Sequence, residues 1–477
     1  METKNLDRRS FMKGAVALVG LASLSSCASL GIKGFGEAKP KPISGKIRLA
    51  GVGCGGKGES DIANSAEAGC EIVALCDVDE RRAAGTVKKF PNAKFYKDYR
   101  KMLKEMGDQI DAVTVSTPDH THFHVAAMAI QMGKHVYVQK PLAHSIWEVQ
   151  ELRRLAAKHG VVTQMGNQGH AGEGIRLVKE WMDSGTLGEV KLAHVWTNRP
   201  IWPQGLKRPV GSDPIPKELD WNLWLGTAPM RPFKDKWPEN SLWQGKDIKG
   251  SDVYVPFAWR GFWDFGTGAL GDMGCHTMDA VFWALNIKEA MTSGQDIVVT
   301  AKSGSFSEDM APEWEEVIYE VPARGKMPAC TVTWQAGGKK PELPKGLDKV
   351  SDSGQLLMGS KMVIYDGSDY CDSPRPVNET PEKIKEDIKT VKAVAKTIPR
   401  ATKSNPHIEW VEAIQKGDAH HPGSNFLDYS TYLAEFVILG NLAVRSGKKI
   451  VWNSKACKVM NDVPEAMQFV KHSYREF

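Results

Sequence analysis

Asp272 and His276 lie four residues apart in the segment GALGDMGCHTMD, which spans residues 268–279. If the segment is helical, the two side chains share one face of the helix. A neutral imidazole can accept the proton of a hydroxyl group near pH 7, and a nearby carboxylate can orient the reacting molecule or stabilise developing charge. The pair therefore predicts acid–base chemistry, although a capped helix with a hydrogen-bonded histidine could have the same sequence.

Lys140 is a third residue that could take part in this chemistry. It follows the apolar run 135–138, a predicted strand, and it precedes Pro141. An ammonium group at the carboxyl end of a strand can hold a hydroxyl or carbonyl oxygen and stabilise a developing alkoxide. Burial would lower its pKa and let it share in proton transfer. Lys140, Asp272 and His276 are therefore the predicted catalytic residues.

The element that must position a cofactor against these residues is the stretch KIRLAGVGCGGKG, residues 46–58. A short apolar run leads into glycines spaced G-x-G-x-x-G, with two further glycines that add freedom: Gly51, Gly53 and Gly56, then Gly55 and Gly58. This order predicts a strand, a tight turn and a helix whose N-terminus binds a pyrophosphate.

The next strand candidate, residues 71–76, ends at Asp77. The Asp77 carboxylate has about the offset expected for a hydrogen bond from a ribose 2′-hydroxyl, which favours NAD as the dinucleotide. Arg81 and Arg82 follow closely and could accept the 2′-phosphate of NADP. The sequence therefore predicts NAD and leaves NADP open.

Alternating apolar runs and helical segments predict an α/β fold with two domains. Strand candidates at 110–116, 135–138 and 161–165 extend a parallel sheet, so residues 46–165 are predicted to form a Rossmann dinucleotide-binding domain. Further strand candidates between 296 and 365 predict a second, α+β domain. Its expected limits are 166–463, with insertions near 198–255 and 366–406, and a helix within 464–477 is expected to pack back on the body.

Residues 1–31 are expected to be a targeting segment. Arg8 and Arg9 precede a short apolar run, which resembles a twin-arginine export signal. The run ends in LSSC, which resembles a lipoprotein processing site, so Cys27 could be lipidated and hold the protein to a membrane. An ordinary cleaved signal is the alternative. Residues 32–45 are expected to be a tether, and the location a periplasmic one.

Composition excludes some classes of partner. The net charge of +5 over 477 residues gives no indication of nucleic-acid binding. The eight cysteines include no C-x-x-C pair, so neither a disulfide framework nor structural zinc is predicted. His120, His122 and His124 alternate at the start of a predicted helix, but no adjoining carboxylate–histidine group completes a metal site. No metal is therefore expected.

The motifs TPDHTH (117–122) and MGKHVYVQKPLA (132–143) together resemble the Gfo/Idh/MocA oxidoreductases. The D-x-G-x-H pattern of Asp272, Gly274 and His276 matches the same family. The resemblance implies an N-terminal dinucleotide-binding domain and a C-terminal domain with an open, mostly antiparallel sheet. That sheet often serves subunit association, so a homo-oligomer is expected.

The resemblance also implies a set of cofactor-binding residues. Gln139 departs from the family's usual Glu, and so the hold on the cofactor could differ. Asn167 and Gln168 match a polar loop that approaches the nicotinamide and the substrate. The expected cofactor-binding residues are Gly51, Gly53, Cys54, Gly55, Gly56, Asp77, Thr117, Pro118, His122, Gln139, Lys140 and Asn167.

Four residues are candidates for contact with a substrate: Gln168, Trp259, Arg260 and Asp279. Aromatic rings pack well against the C–H faces of sugar rings, which favours Trp259. Arg260 could bind a carboxylate, a phosphate or sugar hydroxyls, or it could form a structural ion pair.

The resemblance implies an exported NAD(P)-dependent oxidoreductase that acts on a sugar, a glycoside or a polyol. One alternative is a redox-neutral glycosidase or epimerase that retains its NAD and forms a transient ketosugar. An exported glycosidase branch of the family shares the signal and the glycine turn but lacks the Lys-Pro motif of Lys140 and Pro141. A non-catalytic sugar-binding lipoprotein is the other alternative.

Overall fold

The structure is a computed structural model that describes residues 41–477. The expected export signal, Cys27 and most of the expected tether lie outside the described residues. Within 41–477 no helix is long and apolar enough to cross a membrane.

A six-stranded parallel sheet forms the first domain, with strand order β3-β2-β1-β4-β5-β6. Helices cover both faces, so the central strands are apolar runs buried on both sides. The strands are β1 (Arg48–Val52), β2 (Glu71–Cys76), β3 (Lys94–Tyr96), β4 (Ala112–Val115), β5 (His135–Val138) and β6 (Thr163–Met165). The helices are α1 (Lys57–Glu67), α2 (Glu80–Lys89), α3 (Tyr99–Met106), α4 (Asp119–Gln131) and α5 (Ile146–His159). The predicted Rossmann fold is confirmed.

Local sequence sets where these helices begin. Asp79 and Asp98 each accept a hydrogen bond from a main-chain N–H at the start of α2 and α3. Ser145 and Glu148 form a reciprocal capping box at the start of α5. These caps fix the helix starts next to the strand ends, where a dinucleotide binds in this fold.

A nine-stranded mixed sheet forms the second domain, with order β15-β14-β13-β7-β12-β11-β10-β16-β17. Only the β7–β12 pair is parallel, so the expected mostly antiparallel sheet is confirmed. Its strands are β7 (Val190–Trp196), β10 (Asp296–Ser303), β11 (Glu315–Val321), β12 (Cys330–Gln335), β13 (Gly354–Gly359), β14 (Val363–Asp366), β15 (Arg375–Val377), β16 (Ile450–Asn453) and β17 (Lys458–Val459). A separate hairpin pairs β8 (Leu242–Trp243) with β9 (Lys246–Asp247).

The helices that follow α5 are α6 (Glu173–Asp183), α7 (Trp221–Leu225), α8 (Gly268–Thr277), α9 (Asp279–Ala284), α10 (Ile287–Ser293), α11 (Pro381–Ala393), α12 (Pro406–Lys416), α13 (Ser430–Ser446) and α14 (Met467–Val470). The long helix α13 is buried against β10, β11 and α8. It thereby fixes α8, which carries Asp272 and His276, to the second sheet.

Helix α12 packs on the first domain, although it lies within the range expected for the second. Its buried residues Trp410, Val411 and Ile414 share an apolar core with Leu49 of β1 and Tyr137 of β5. The chain therefore returns to the first sheet after completing most of the second.

Two expected segments differ in detail. The helix expected within 464–477 is a short 3-10 turn, Pro464–Ala466, followed by α14, and the residues beyond α14 belong to no helix or strand. There Arg475 donates a main-chain hydrogen bond to Thr227. Most tryptophans of the 198–255 segment, with Tyr254 and Phe265, form a separate buried aromatic cluster, because rings of this size gain most by packing together out of water.

Candidate active site

A cleft of about 540 Å³ lies between the carboxyl ends of the parallel strands and the face of α8 that carries Asp272 and His276. The glycine turn lines one part of it, and Lys140, Asp272 and His276 line another. Lys140 is more than 130 positions from Asp272 and His276 in the sequence, yet all three predicted catalytic side chains face one cavity together with the predicted cofactor turn.

Asp272 holds two cations at the centre of the cleft. Lys140 Nζ donates to Asp272 Oδ1 at 2.7 Å and to its main-chain oxygen at 2.6 Å. Arg260 Nε donates to the same Oδ1 at 3.0 Å. Burial alone would raise the pKa of Asp272, but Lys140 and Arg260 hold it well below its ordinary value. Asp272 is therefore ionised, and it fixes the position of the Lys140 ammonium.

His276 is buried and neutral. Burial, reinforced by the charge of Lys140, lowers its pKa well below the ordinary value. Its Nδ1 atom has no hydrogen-bond partner among the described residues. The ring packs against the edge of Tyr370, with 5.0 Å between the ring centroids. A neutral imidazole without a fixed partner can accept a proton from a molecule in the cleft.

The glycine turn has the shape that a dinucleotide requires. Gly53 has φ 82°, and a Cβ there would lie 2.6 Å from the main-chain oxygen of Ser116. A Cβ on Gly51 would lie 2.4 Å from Ile62 Cδ1 of α1, so this glycine permits close packing of strand and helix. The turn leads directly to the N-terminus of α1, which favours a pyrophosphate.

Asp77 lies at the edge of this turn, as its position after β2 predicts. Its Oδ2 accepts the Cys54 main-chain N–H at 2.7 Å, and its Oδ1 accepts that of Asp79 at 3.0 Å. Burial raises the pKa of Asp77. A carboxylate has about four acceptor sites, so two remain for ribose hydroxyls. The turn and Asp77 therefore fit NAD.

The two arginines after β2 differ in position. Arg81 pairs with Asp79 through two hydrogen bonds, of 2.8 and 2.7 Å. Arg82 lies against the glycine turn and lines the cleft. Arg82 is therefore the one of the two placed near the ribose position, where it could contact a 2′-phosphate.

Gln139 lines the cleft and reaches a buried carboxylate. Its Nε2 donates to Asp61 Oδ2 at 2.9 Å, and Ser116 Oγ donates to the same atom at 2.8 Å. His407 Nε2 of α12 lies 3.3 Å from Asp61 Oδ1. Burial opposes the ionisation of Asp61, but His407 and Lys57 outweigh it and lower the pKa.

The TPDHTH motif forms another wall of the cleft, which Thr117, Pro118 and His122 all line. His122 Nε2 lies 2.7 Å from the main-chain oxygen of Thr117, so Nε2 carries the proton. Burial lowers the pKa of His122 to about 3. Its Nδ1 is buried without a hydrogen-bond partner among the described residues.

Three of the expected substrate-contacting residues also line the cleft: Gln168, Trp259 and Arg260. The Arg260 guanidinium lies 4.4 Å from the centre of the Trp259 ring and 4.2 Å from that of Phe257. Since Arg260 also bonds Asp272, the ion pair expected as one option for Arg260 is present at the cleft.

Asn167 and Asp279, expected at the cofactor and the substrate, do not line the cleft. Asp279 accepts hydrogen bonds from Asn167 Nδ2 at 2.8 Å, from Tyr429 Oη at 2.6 Å and from His170 Nδ1 at 3.0 Å. Both residues are buried behind the cleft wall, because these bonds satisfy their polar atoms away from water. Gly51 and Cys54 do not line the cleft either. The Cys54 thiol is fully buried.

Asp119 and Tyr370 are among the residues of the cleft that were not candidates. Asp119 follows Pro118 directly, and its Oδ2 accepts a 2.7 Å bond from Thr267. Burial raises the pKa of Asp119 to about 6. Tyr370 comes from the segment expected to be a surface insertion, yet it contacts His276. Because Asp119 comes shortly after the end of a strand, its place at the cleft could have been predicted from the sequence. No local sequence pattern indicates that Tyr370 lies at the cleft.

Two family models match the chain. Residues 47–167 match the NAD-binding Rossmann fold of an oxidoreductase family, Gfo/Idh/MocA, and residues 175–327 match the C-terminal alpha/beta domain of the same family. Together they cover more than half of the chain. The chain belongs to the Gfo/Idh/MocA oxidoreductase family. Its first domain is the NAD-binding domain of that family.

Relatives of known name match about a third of this chain. An inositol 2-dehydrogenase/D-chiro-inositol 3-dehydrogenase of Lacticaseibacillus casei is 30% identical over 32% of this chain and 45% of its own length. A glycosyl hydrolase family 109 protein of Solibacter usitatus is 34% identical over 30% of this chain and 35% of its own. The matched region thus spans less than half the length of these relatives.

Solved structures share the whole fold at low identity. The WlbA dehydrogenase of Bordetella pertussis, in complex with NADH and UDP-GlcNAcA, superposes with a TM-score of 0.55 at 17% identity, over 85% of this chain and 99% of that one. A levoglucosan dehydrogenase with NADH and levoglucosan gives 0.53 at 13% identity, over 85% and 99%. These likenesses establish the two-domain fold.

We expect Gln139→Glu to destabilise the protein in a pH-dependent way. It replaces a donor to Asp61 with a second carboxyl group, whose folded-state pKa rises through burial and repulsion. Below about pH 4, where a free Glu is protonated, the cost is small. It grows as pH rises and reaches about 1–3 kcal/mol, since the lost bond and the like charge both act. Unfolding by urea at acidic and neutral pH, against the wild type, measures it. A difference in the free energy of unfolding that does not change with pH would contradict the contact between residue 139 and Asp61.

We expect Asp119→Asn to stabilise the protein increasingly between about pH 4 and pH 6. Asp119 has a folded-state pKa of about 6, whereas a free Asp titrates near pH 4. The wild-type folded state therefore holds this proton more tightly, and its stability falls as pH rises through that window. Asn keeps the Thr267 bond and removes the cost of ionising a buried carboxyl group. This cost is about 3 kcal/mol above pH 6. Urea unfolding of both proteins at pH 4 and pH 6 tests this. A difference in the free energy of unfolding that is the same at both pH values would contradict it.

Proposed function

We propose that this protein transfers a hydride between NAD and a hydroxyl-bearing carbon of a sugar, glycoside or polyol. The observation that carries the proposal is the cleft itself. A Lys140–Asp272–Arg260 ion-pair network and a neutral His276 face the same cavity as a glycine turn shaped for a dinucleotide. A site of this kind can remove a hydroxyl proton beside a bound nicotinamide.

Each residue has a distinct part in this chemistry. NAD, when bound, supplies the acceptor of the hydride. His276 takes the hydroxyl proton, since its lowered pKa leaves it unprotonated at neutral pH. Lys140 holds the same oxygen and stabilises its developing negative charge. Asp272 keeps the ammonium in position through the 2.7 Å bond. In the reverse direction, the imidazolium of His276 returns the proton to the oxygen.

The walls of the cleft support a polyhydroxylated substrate. Trp259 and Phe257 offer aromatic faces for the C–H surface of a sugar ring, and Gln168 offers an amide for its hydroxyls. Relatives named for inositol and for levoglucosan are consistent with this class. The proposed substrate is therefore a small carbohydrate or a cyclic polyol.

A redox-neutral glycosidase is a second candidate, favoured by the relatives of the glycosyl hydrolase family 109. In such a reaction the sugar would be oxidised by bound NAD, the glycosidic substituent would leave by elimination, water would add to the resulting double bond, and the hydride would then return to the carbonyl carbon. The NAD would then never leave. The presence of Lys140, held by Asp272, favours the dehydrogenase.

We also propose that the protein is exported and attached to a membrane through Cys27, and that it forms a homo-oligomer through the nine-stranded sheet. The twin-arginine pattern and the LSSC segment support the first part. The family resemblance supports the second. Export would favour a tightly held cofactor, because free NAD is scarce outside the cytoplasm.

We expect His276→Ala and Lys140→Ala each to lower kcat by about 10²- to 10⁴-fold, the usual contribution of a positioned acid–base group. NAD content should stay at the wild-type level, because the glycine turn and Asp77 are untouched. NADH formation over a panel of sugars, polyols and glycosides provides the assay. Lys94→Ala, which changes an exposed lysine of the first domain, is the matched control. Wild-type turnover in either cleft variant would remove that residue from the mechanism.

We expect the purified protein to release near-stoichiometric NAD on denaturation, measured by mass spectrometry, which also separates NAD from NADP. Gly53→Val is the control: it places a branched side chain 2.6 Å from Ser116 at a positive φ, so NAD should be absent while circular dichroism confirms folding. Wild-type protein that is empty and binds NAD weakly would contradict the recycling enzymes and favour a dehydrogenase that exchanges its cofactor.

A further inference from the structure

A second cavity, of about 580 Å³, lies behind the wall of the cleft. The 3-10 turn Gln168–Ala171 separates the two, since Gln168 lines the cleft and His170 lines the second cavity. Helices α9 and α10, the start of α12 and the loop 420–429 complete its lining. The proposed function assigns no role to this cavity.

His170 presents a ring nitrogen to the second cavity. Its Nδ1 lies 3.0 Å from Asp279 Oδ1, and a carboxylate oxygen accepts, so Nδ1 is the donor in this contact. The bonds from Asn167 and Tyr429 hold Asp279 in place behind it. The other ring nitrogen, Nε2, is the polar atom of His170 left for a ligand, and a hydroxyl group, which can both donate and accept, can bond it.

Glu409 of α12 is the second polar group, and its bonds are incomplete. The residue is 6% exposed, and its Oε2 is buried with no hydrogen-bond partner among the described residues. Arg176 Nη2 lies 3.8 Å from the other oxygen, too far for a hydrogen bond. A buried carboxylate with an oxygen that lacks a donor is costly. Glu409 lines the cavity, so its carboxylate has acceptor capacity left for a ligand hydroxyl there.

Aromatic rings provide the apolar part of the lining. Trp283 is half-buried and lines the cavity, and its ring centroid lies 4.7 Å from that of His170. Tyr429 packs on the other rings, 4.2 Å from His170 and 6.0 Å from Trp283. A rigid aromatic surface of this kind suits the C–H face of a sugar ring.

The charges around the cavity do not favour an anion. Its lining holds two cations, Arg176 and Lys288, and three carboxylates, Glu289, Glu409 and Asp428. Among residues 41–477, no group of three or more His, Cys, Asp or Glu side chains could hold a metal ion. This excess of one carboxylate, the polar groups of Glu409 and His170 and the aromatic wall disfavour an anion or a metal and suit a molecule rich in hydroxyl groups.

We propose that the second cavity is a binding site for a neutral sugar or polyol, separate from the cleft. The ligand's hydroxyls bond the Glu409 carboxylate and His170 Nε2, and its C–H face packs on Trp283. The proposal does not depend on the chemistry proposed for the cleft, because Lys140, Asp272 and His276 take no part in it.

The test is binding of a panel of glucose, sorbitol, myo-inositol, maltose and cellobiose to the protein as purified. Saturation-transfer NMR detects binding, and calorimetry gives the affinity and stoichiometry. We expect at least one member to bind to the Lys140→Ala variant, whose second cavity is intact. Glu409→Gln should weaken that binding about tenfold, since a charge-assisted bond becomes a neutral one. Trp283→Leu should weaken it about fivefold by removing the aromatic face.

Glu412→Gln is the matched control, because it makes the same change on α12 at a residue that does not line the cavity. Its affinity should equal that of the wild type, and thermal melting checks that each variant is folded. If Glu409→Gln does not fold, Trp283→Leu carries the test. The proposal is overturned if no member of the panel binds outside the cleft. It is overturned equally if binding in a folded cavity variant matches that of Glu412→Gln.

Discussion

The buried carboxylate of Asp272 is the interaction on which the arrangement of this protein depends. Lys140 follows β5 of the first domain, whereas Asp272 belongs to α8 of the second, so their 2.7 Å bond crosses the cleft. Arg260 adds a second cation to the same oxygen. Removing one partner of a buried pair leaves an uncompensated charge at a cost of about 3–5 kcal/mol. The pair therefore fixes both the domain arrangement and the position of the Lys140 ammonium.

This pair also determines the electrostatics of its neighbours. His276 lies on the same helix face as Asp272, yet burial and the charge of Lys140 keep it neutral. A histidine paired directly with the carboxylate would instead gain a proton. Because Asp272 is committed to Lys140 and Arg260, the imidazole remains a base. One ionised and one neutral group thus lie a single helical turn apart.

The sequence was sufficient for features whose signal is local. The glycine spacing, the strand ends and the i,i+4 pair placed Lys140, Asp272 and His276 around one cleft, because parallel strands all present their carboxyl ends at one edge. Asn167 and Asp279 lie behind the cleft wall, and spacing alone does not tell on which side of a wall a polar side chain lies. The contact of Tyr370 with His276 and the packing of α12 on the first domain could not be predicted for another reason: each depends on contacts with residues more than 90 positions away, which leave no periodic pattern.

Helix α12 illustrates how such a distant segment supports the cofactor turn. His407 of α12 stacks on Tyr137 of β5, with 4.3 Å between ring centroids, and reaches Asp61 of α1. Asp61 in turn accepts from Ser116 and Gln139, which lie at the ends of β4 and β5. One buried carboxylate therefore joins the first helix, two strand ends and α12 beneath the place where the dinucleotide binds. Because Glu409 of the second cavity lies two residues from His407, the helix that supports the cofactor turn also lines the second cavity.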